Sequence, residues 1–411
     1  MKTDIDQLML NQNTAALWIS GAAQHNPAMV YFTGGAHLTG ADLFYLPGQT
    51  PWLCHGPMER DEAAKSGFRL ISYANYPLNQ FLESFNRDPL EAAAQRYARI
   101  LQDIGLTRGK VILYGMREFG EFYSVIARLQ QILPELSFEG DLSDAILMEA
   151  RATKSQEELD HIRRMGEITV AVVQKTKDLL TSSPHDGNTL MDAEGNPLTI
   201  GKVKSQINLW LAELGAENPE DTIFAIGRDA GVPHSSGTPA DPIRLGQTIV
   251  FDIFPSEAGG GYFYDFTRTW CLGYALDEVH QAYEQVRQVY DTVVAELQAG
   301  ANPSIYQARA CELFESMGHD TIRKNSRIEQ GYVHSLGHGV GLNVHEKPWS
   351  GKPDDPTNIL KPGSVFTIEP GLYYPEKGYG IRLEDTWYLD SQGNFSKFVD
   401  FPMDLVLPVR G

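Results

Sequence analysis

Five residues of this chain have types and spacing that suit metal-assisted hydrolysis: Asp252, Asp265, His338, Glu369 and Glu384. The aspartates lie in IVFDIFPSEAGGGYFYDFTRTW and the glutamates in SVFTIEPGLYYPEKGYGIRLEDTWYL. Each segment reads as two strands around a glycine-containing turn. Carboxylates inside apolar strands are costly unless positive charge compensates them. The midpoint of Asp252 and Asp265 falls at Ala258–Gly259, and that of Glu369 and Glu384 at Glu376–Lys377. Both midpoints lie inside the turns, so each pair is expected to face across its hairpin, with Cβ atoms about 4.5–5.5 Å apart. Four carboxylates and a neutral imidazole supply a charge of about −4, which two divalent ions would neutralise. Oxygen-rich ligation with one nitrogen suits Mn, Co, Fe or Zn. Two such ions about 3.5–4 Å apart can lower the pKa of a bridging water and hold it for attack.

Further imidazoles surround this set. HSLGHGVGLNVHEKP carries His334, His338 and His345. Gly337, Gly339 and Gly341 argue against a helix there and for close backbone approach. His234 lies in GRDAGVPHSSG, on a loop after the strand DTIFAIG. One imidazole is expected as a ligand, and others could donate to a developing oxyanion.

The elements that must position these groups fall into two regions. At 411 residues the chain is too long for one ordinary core, and two domains are expected, 1–150 and 151–411. In the first, AALWIS, MVYFTG, DLFYLPG, PWLCHG and FRLISYA read as strands. PLEAAAQRYARILQDIGLTRG reads as a helix, KVILYG as a strand and EFYSVIARLQQIL as another helix. At the boundary, Ser155 and Glu158 form a capping-box pattern opening a long helix. Beyond it, helical segments alternate with the strands that hold the polar cluster. The fold class is α+β, with an antiparallel second domain.

Composition narrows the setting. Hydrophobic content of 42% and charged content of 21% are those of a globular protein. A net charge of −19 argues against a general nucleic-acid or anionic-membrane surface. Cys54, Cys271 and Cys311 form an odd, sparse set that fits a reducing compartment. No run of about eighteen apolar residues appears, and the N-terminus carries no leader pattern. A cytoplasmic location is expected.

The motifs PHSSG, the aspartate pair with DFTRT, HSLGHGVGLNVHE, TIEPGLY and GIRLED resemble, in order, those of the pita-bread metallopeptidases. That family includes Xaa-Pro aminopeptidase, prolidase, methionine aminopeptidase and the metal-free creatinase. The resemblance spans about 150 to 405, and YFTGG resembles a creatinase-type N-domain. It implies a pita-bread C-terminal domain behind a smaller mixed α/β domain, and hydrolysis of the bond before proline in short peptides. Asp252 and Asp265 would hold one of two metal ions, most simply Mn, and His338 and Glu369 the other, with Asp265 and Glu384 bridging. His234 and His345 would stabilise the tetrahedral intermediate, and Glu369 would move the proton. Arg382 would orient substrate or support the ligands, with His334 beside it. A homodimer assembled through the N-domain is implied. Two departures stand out. Relatives read Asp-x-Gly where this chain has Asp252-Ile253-Phe254, which leaves open a non-peptide substrate for a C–N hydrolase or lyase. Prolidase-like relatives often carry an arginine where this chain has Trp349. The full ligand set argues against a non-catalytic binding module.

Overall fold

The computed structural model describes residues 4–409. The chain divides into two compact units. One runs through Ala150 and takes in Gly259–Gly261; the other holds Arg151–Ala258 and resumes at Tyr262.

The first unit is built on a six-stranded sheet in the order Arg69–Ser72, Trp52–His55, Ala41–Tyr45, Thr14–Gly21, Gly109–Met116, Leu136–Gly140. Side chains of its central strand alternate between two cores, Leu17 and Ile19 in one, Ala16 and Trp18 in the other. Both faces are therefore covered, which period-two alternation alone would not require. Helices Pro89–Asp103 and Phe119–Ile132 pack on the Trp18 side. One segment departs from expectation. MVYFTG belongs to a helix, Pro27–Thr33, rather than a strand. Asn26 caps it by accepting from the Met29 N–H, Pro27 pre-sets its first turn, and Gly34 closes it at φ 65°. End signals override the β preference of Val30, Tyr31 and Phe32.

The second unit opens on the helix Gln156–Ser182, where Ser155 and Glu158 form the reciprocal capping box. Its buried stripe, including Ile162, Val172 and Leu180, packs with the helix Ile200–Glu213 against Phe224, Phe251 and Trp270 of the sheet. Full burial of each such side chain contributes about 1.5–3 kcal/mol. Helices Asp277–Glu296 and Ser304–Ser316 serve a second core around Tyr332, Phe366 and Ile381. The strands form one sheet in the order Ile223–Ile226, Thr248–Ile253, Phe266–Leu272, Val406–Leu407. A second runs Glu346–Trp349, His338–Gly339, Val365–Ile368, Asp385–Leu389, Phe395–Lys397. Pairing is antiparallel throughout these two sheets, apart from Val406–Leu407. A bridge between Thr267 and Glu384 joins them.

Register decides where the acids point. Asp252 pairs with Thr267, not with Asp265. The reason is the turn: the hairpin holds one register through Ser256 and Phe263 and reverses at Gly259–Gly260, both at positive φ, one residue beyond the expected Ala258–Gly259. That displaces the register by two, which keeps a side chain on its face. The second segment is continuous. Ile368 pairs with Asp385, and Gly371 with Arg382, in one register that brings Glu369 level with Glu384. Both glutamates sit at the break between two ladders, outside the strands themselves.

Candidate metal centre

Strand ends and breaks supply the polar groups. Asp252 closes on the end of Thr248–Ile253, Asp265 precedes Phe266–Leu272, and Glu369 and Glu384 occupy the ladder break. His338 reaches the same point on a two-residue strand that only glycine neighbours permit. A Cβ on Gly337 would lie 2.1 Å from the Thr367 carbonyl oxygen, and one on Gly339 would lie 2.0 Å from that of Lys347. These glycines serve backbone approach, as their crowding in the sequence suggests.

All nine residues singled out from the sequence line one cavity of 430 Å³ in the second unit: Asp252, Asp265, His338, Glu369, Glu384, His234, His345, Arg382 and His334. At its floor, His338 Nε2 lies 3.3 Å from Glu369 Oε1 and 3.6 Å from Asp265 Oδ2. Ligand atoms of Asp265, His338 and Glu384 all fall within 4.8 Å of one another. His338 Nδ1 faces the Gly339 carbonyl at 3.1 Å. Donation there leaves Nε2 turned to the acids.

A further layer braces this floor. Thr267 donates to Glu384 Oε2 at 2.6 Å. Arg268, fully buried, donates to the Glu384 carbonyl at 2.8 Å and pairs with Asp385 at 2.8 Å. Arg382 pairs with Asp252 at 2.6 Å and donates to the Tyr373 hydroxyl at 2.9 Å. His334 Nε2 lies 2.8 Å from that same hydroxyl. Thr267 and Tyr373 escaped notice in the sequence, although both lie inside the motifs DFTRT and EPGLYY. An uncharged hydroxyl in a strand carries no signal until its partner is placed. His234 and His345 stand on the exposed side of the cavity, with the His345 ring 4.2 Å from that of His338.

Three carboxylate oxygens show what the cavity accommodates. Asp252 Oδ1, Asp265 Oδ1 and Glu384 Oε1 are buried without a hydrogen-bond partner. An unpaired buried acceptor costs about 1–3 kcal/mol, more for a charged one. Burial, then the charge of Asp252, pushes Asp265 well above the carboxylate range. Burial and Asp265 do the same to Glu384. Burial acts on Glu369 in the same sense, but the hydrogen bond and charge of His338 outweigh it and hold Glu369 at about 2. His338 in turn is held up at about 9, Glu369 prevailing over burial. Burial, then His338, pushes His345 down to about 4. The acids cannot all ionise together without added positive charge. Oxygen donors with one imidazole nitrogen fit a divalent cation.

Residues 160–391 match the model of metallopeptidase family M24. The chain belongs to this family. The M24 chain is 27% identical to an Xaa-Pro dipeptidase of Pyrococcus furiosus over 69% of its own length and 78% of that relative. It is 32% identical to an Xaa-Pro dipeptidase of Pyrococcus horikoshii over 61% of its length and 64% of that relative. An X-Pro aminopeptidase from Thermotoga maritima superposes with a TM-score of 0.74 at 21% identity, covering 96% of this chain and 98% of that one. The fold is therefore the two-domain α+β pita-bread fold. Divalent-metal binding is part of the chemistry of this family, and the carboxylate–histidine cluster is where this M24 peptidase offers ligands. Among the described residues no helix is long and apolar enough to cross a membrane.

Proposed function

We propose that this M24 peptidase removes the N-terminal residue from short peptides whose second residue is proline. The reading is carried by the three buried, partnerless oxygens of Asp252, Asp265 and Glu384, which converge with His338 in one cavity. The names of the dipeptidase relatives support the choice of bond.

Asp252, Asp265, His338, Glu369 and Glu384 would hold two divalent ions, with manganese the simplest choice. When bound, the ions supply charge neutralisation and a water acidified for attack. The protein's own groups do the rest. Glu369 takes the proton from the attacking water and delivers it to the departing proline nitrogen. Its two oxygens are already divided, Oε1 toward His338 at 3.3 Å and Oε2 toward His334 Nδ1 at 3.9 Å. His234 and His345, on the open side, donate to the oxyanion as it develops. Arg382 is 3% exposed and engaged with Asp252. It acts as a support that orients that ligand, not as a hand on the substrate. Three buried, unpaired cysteines fit a reducing, cytoplasmic setting. The homodimer rests on the family resemblance alone.

A second reading, a small non-peptide substrate, is favoured by one observation: Phe254 lines the cavity two residues after Asp252. Chelator-stripped protein, reloaded with Mn²⁺, separates the two. Turnover of Ala-Pro peptides but not Ala-Ala peptides supports the Xaa-Pro reading. Absence of any Xaa-Pro cleavage by reloaded protein supports the other. Full peptide turnover by stripped protein would contradict the metal mechanism in both.

A further inference from the structure

His338 and His345 stand at the two ends of one short loop, with Gly339 and Gly341 between them. Glycine gives up the most conformational freedom on ordering, so such a loop does little to hold itself. The two rings nevertheless lie 4.2 Å apart. His338 is fixed from its own side, where its N–H donates to Thr367 Oγ1 at 3.2 Å and Gly339 pairs with Phe366. His345 needs a second anchor.

The next residue in the chain supplies it. His345 lines the cavity, whereas Glu346, which opens the strand Glu346–Trp349, does not and is 1% exposed. Glu346 Oε1 accepts from Lys154 Nζ at 2.5 Å, and the Lys154 side chain is buried as completely. Arg151 Nε lies 3.9 Å from the other oxygen. The glycine loop is wrapped on this ion pair. A Cβ on Gly341 would lie 2.0 Å from Glu346 Oε1 and 2.9 Å from Lys154 Cε, and one on Gly339 would lie 2.6 Å from the Glu346 carbonyl oxygen. Lys154 is itself tied down. Its N–H donates to the Gly363 carbonyl at 2.7 Å, and it immediately precedes Ser155, the cap of the long helix.

A buried ion pair adds little net stability, because desolvation offsets the attraction and apolar residues of the same volume often do as well. What it adds is a fixed distance and direction between two charged groups. We infer that Lys154 and Glu346 are positioning residues for the reaction: the pair clamps the loop so that His345 meets the developing oxyanion. The inference rests on the role given to His345 in the proposed function.

The test uses Mn²⁺-loaded protein and Ala-Pro-Ala, with kcat and KM separated. Lys154→Met combined with Glu346→Gln removes both charges and strands neither. It should lower kcat by about 10²-fold, the scale of a misplaced group, with KM and the affinity for Mn²⁺ unchanged. In a His345→Ala background the same pair of changes should alter kcat by less than about twofold, because the residue it positions is gone. If the neutral pair fails to fold, Glu346→Asp keeps the charge and shortens its reach; a loss of about tenfold is then expected, again absent in the His345→Ala background. Wild-type kcat in the folded variants, or an equal loss in both backgrounds, would overturn this inference and leave the Xaa-Pro reading standing. Wild-type kcat in His345→Ala would overturn the role of His345 and this inference with it. Failure of the wild-type protein to cleave Ala-Pro-Ala would overturn the Xaa-Pro reading and this inference together.

Discussion

Two buried carboxylate sites in this molecule lie within strands or at strand ends, and they are built in opposite ways. In the first unit Asp42 is 2% exposed and saturated with donors. Trp18 Nε1 at 2.7 Å and the Ser20 hydroxyl reach Oδ1, and the Tyr73 and Tyr97 hydroxyls reach Oδ2. In the second unit Asp252, Asp265 and Glu384 each keep one oxygen without a partner. Burial is common to both sites; satisfaction is not. A satisfied buried acid organises a core. A set of acids that share a cavity, each with one oxygen left without a donor, is arranged for something the chain itself does not supply.

The largest effect should come from removing a member of the second set. Glu384→Ala should fold normally and lose about 10³-fold or more in peptide turnover, the range for losing metal-supplied charge stabilisation. Circular dichroism and a peptidase assay check both halves. Retained turnover would erase the contrast. Asp42→Ala should do the reverse. Two buried donors, Trp18 and Ser20, and two half-buried ones, Tyr73 and Tyr97, would lose their acceptor, at a cost of about 1–3 kcal/mol for each group left buried and unpaired, read by urea unfolding. Its affinity for Mn²⁺ should stay at the wild-type value, and a parallel loss would show that the two sites are not independent.

Smaller changes sharpen the comparison. Thr267→Val removes the donor to Glu384 Oε2. A supporting hydrogen bond of this kind is worth about 10–100-fold in metal affinity, measured by competition with a chelator. The last effect concerns pH. Asp265 and Glu384 are raised, so in stripped protein their contribution to stability is present below the unfolded carboxylate pKa and is lost as pH rises through the raised values. His338 acts in the same sense up to about 9, while Glu369, held at about 2, favours the folded state above its unfolded pKa. Metal requires deprotonated ligands and replaces the lost protons with charge. The rise in Tm on adding Mn²⁺ should therefore be larger at about pH 8 than at about pH 5. An equal rise at both would mean that these groups do not titrate with binding.

Much of this is legible in the sequence, and what is not has physical causes. The capping box of Ser155 and Glu158 and the long helix behind it are local, so the chain announces them. The register of Glu369 with Glu384 is also local, set by a turn at Pro375–Lys377. The pairing of Asp252 differs from the expectation because the hairpin reverses at Gly259–Gly260, and three consecutive glycines, Gly259 to Gly261, leave the turn position open in the sequence. MVYFTG has a strand-like composition, but its ends, Asn26-Pro27 and Gly34, decide for a helix. Thr267, Tyr373 and the commitment of Arg382 to Asp252 became visible only when distant strands met.

Partnerless oxygens that converge with His338 in one cavity, not burial alone, mark where metal binds. Calorimetric titration of Mn²⁺ into stripped protein tests it directly, run on wild type, Glu384→Ala and Asp42→Asn. Two ions per chain are expected for wild type and Asp42→Asn, and at least one fewer for Glu384→Ala. Wild-type protein that binds no Mn²⁺, or Glu384→Ala that binds it as wild type does, would contradict it.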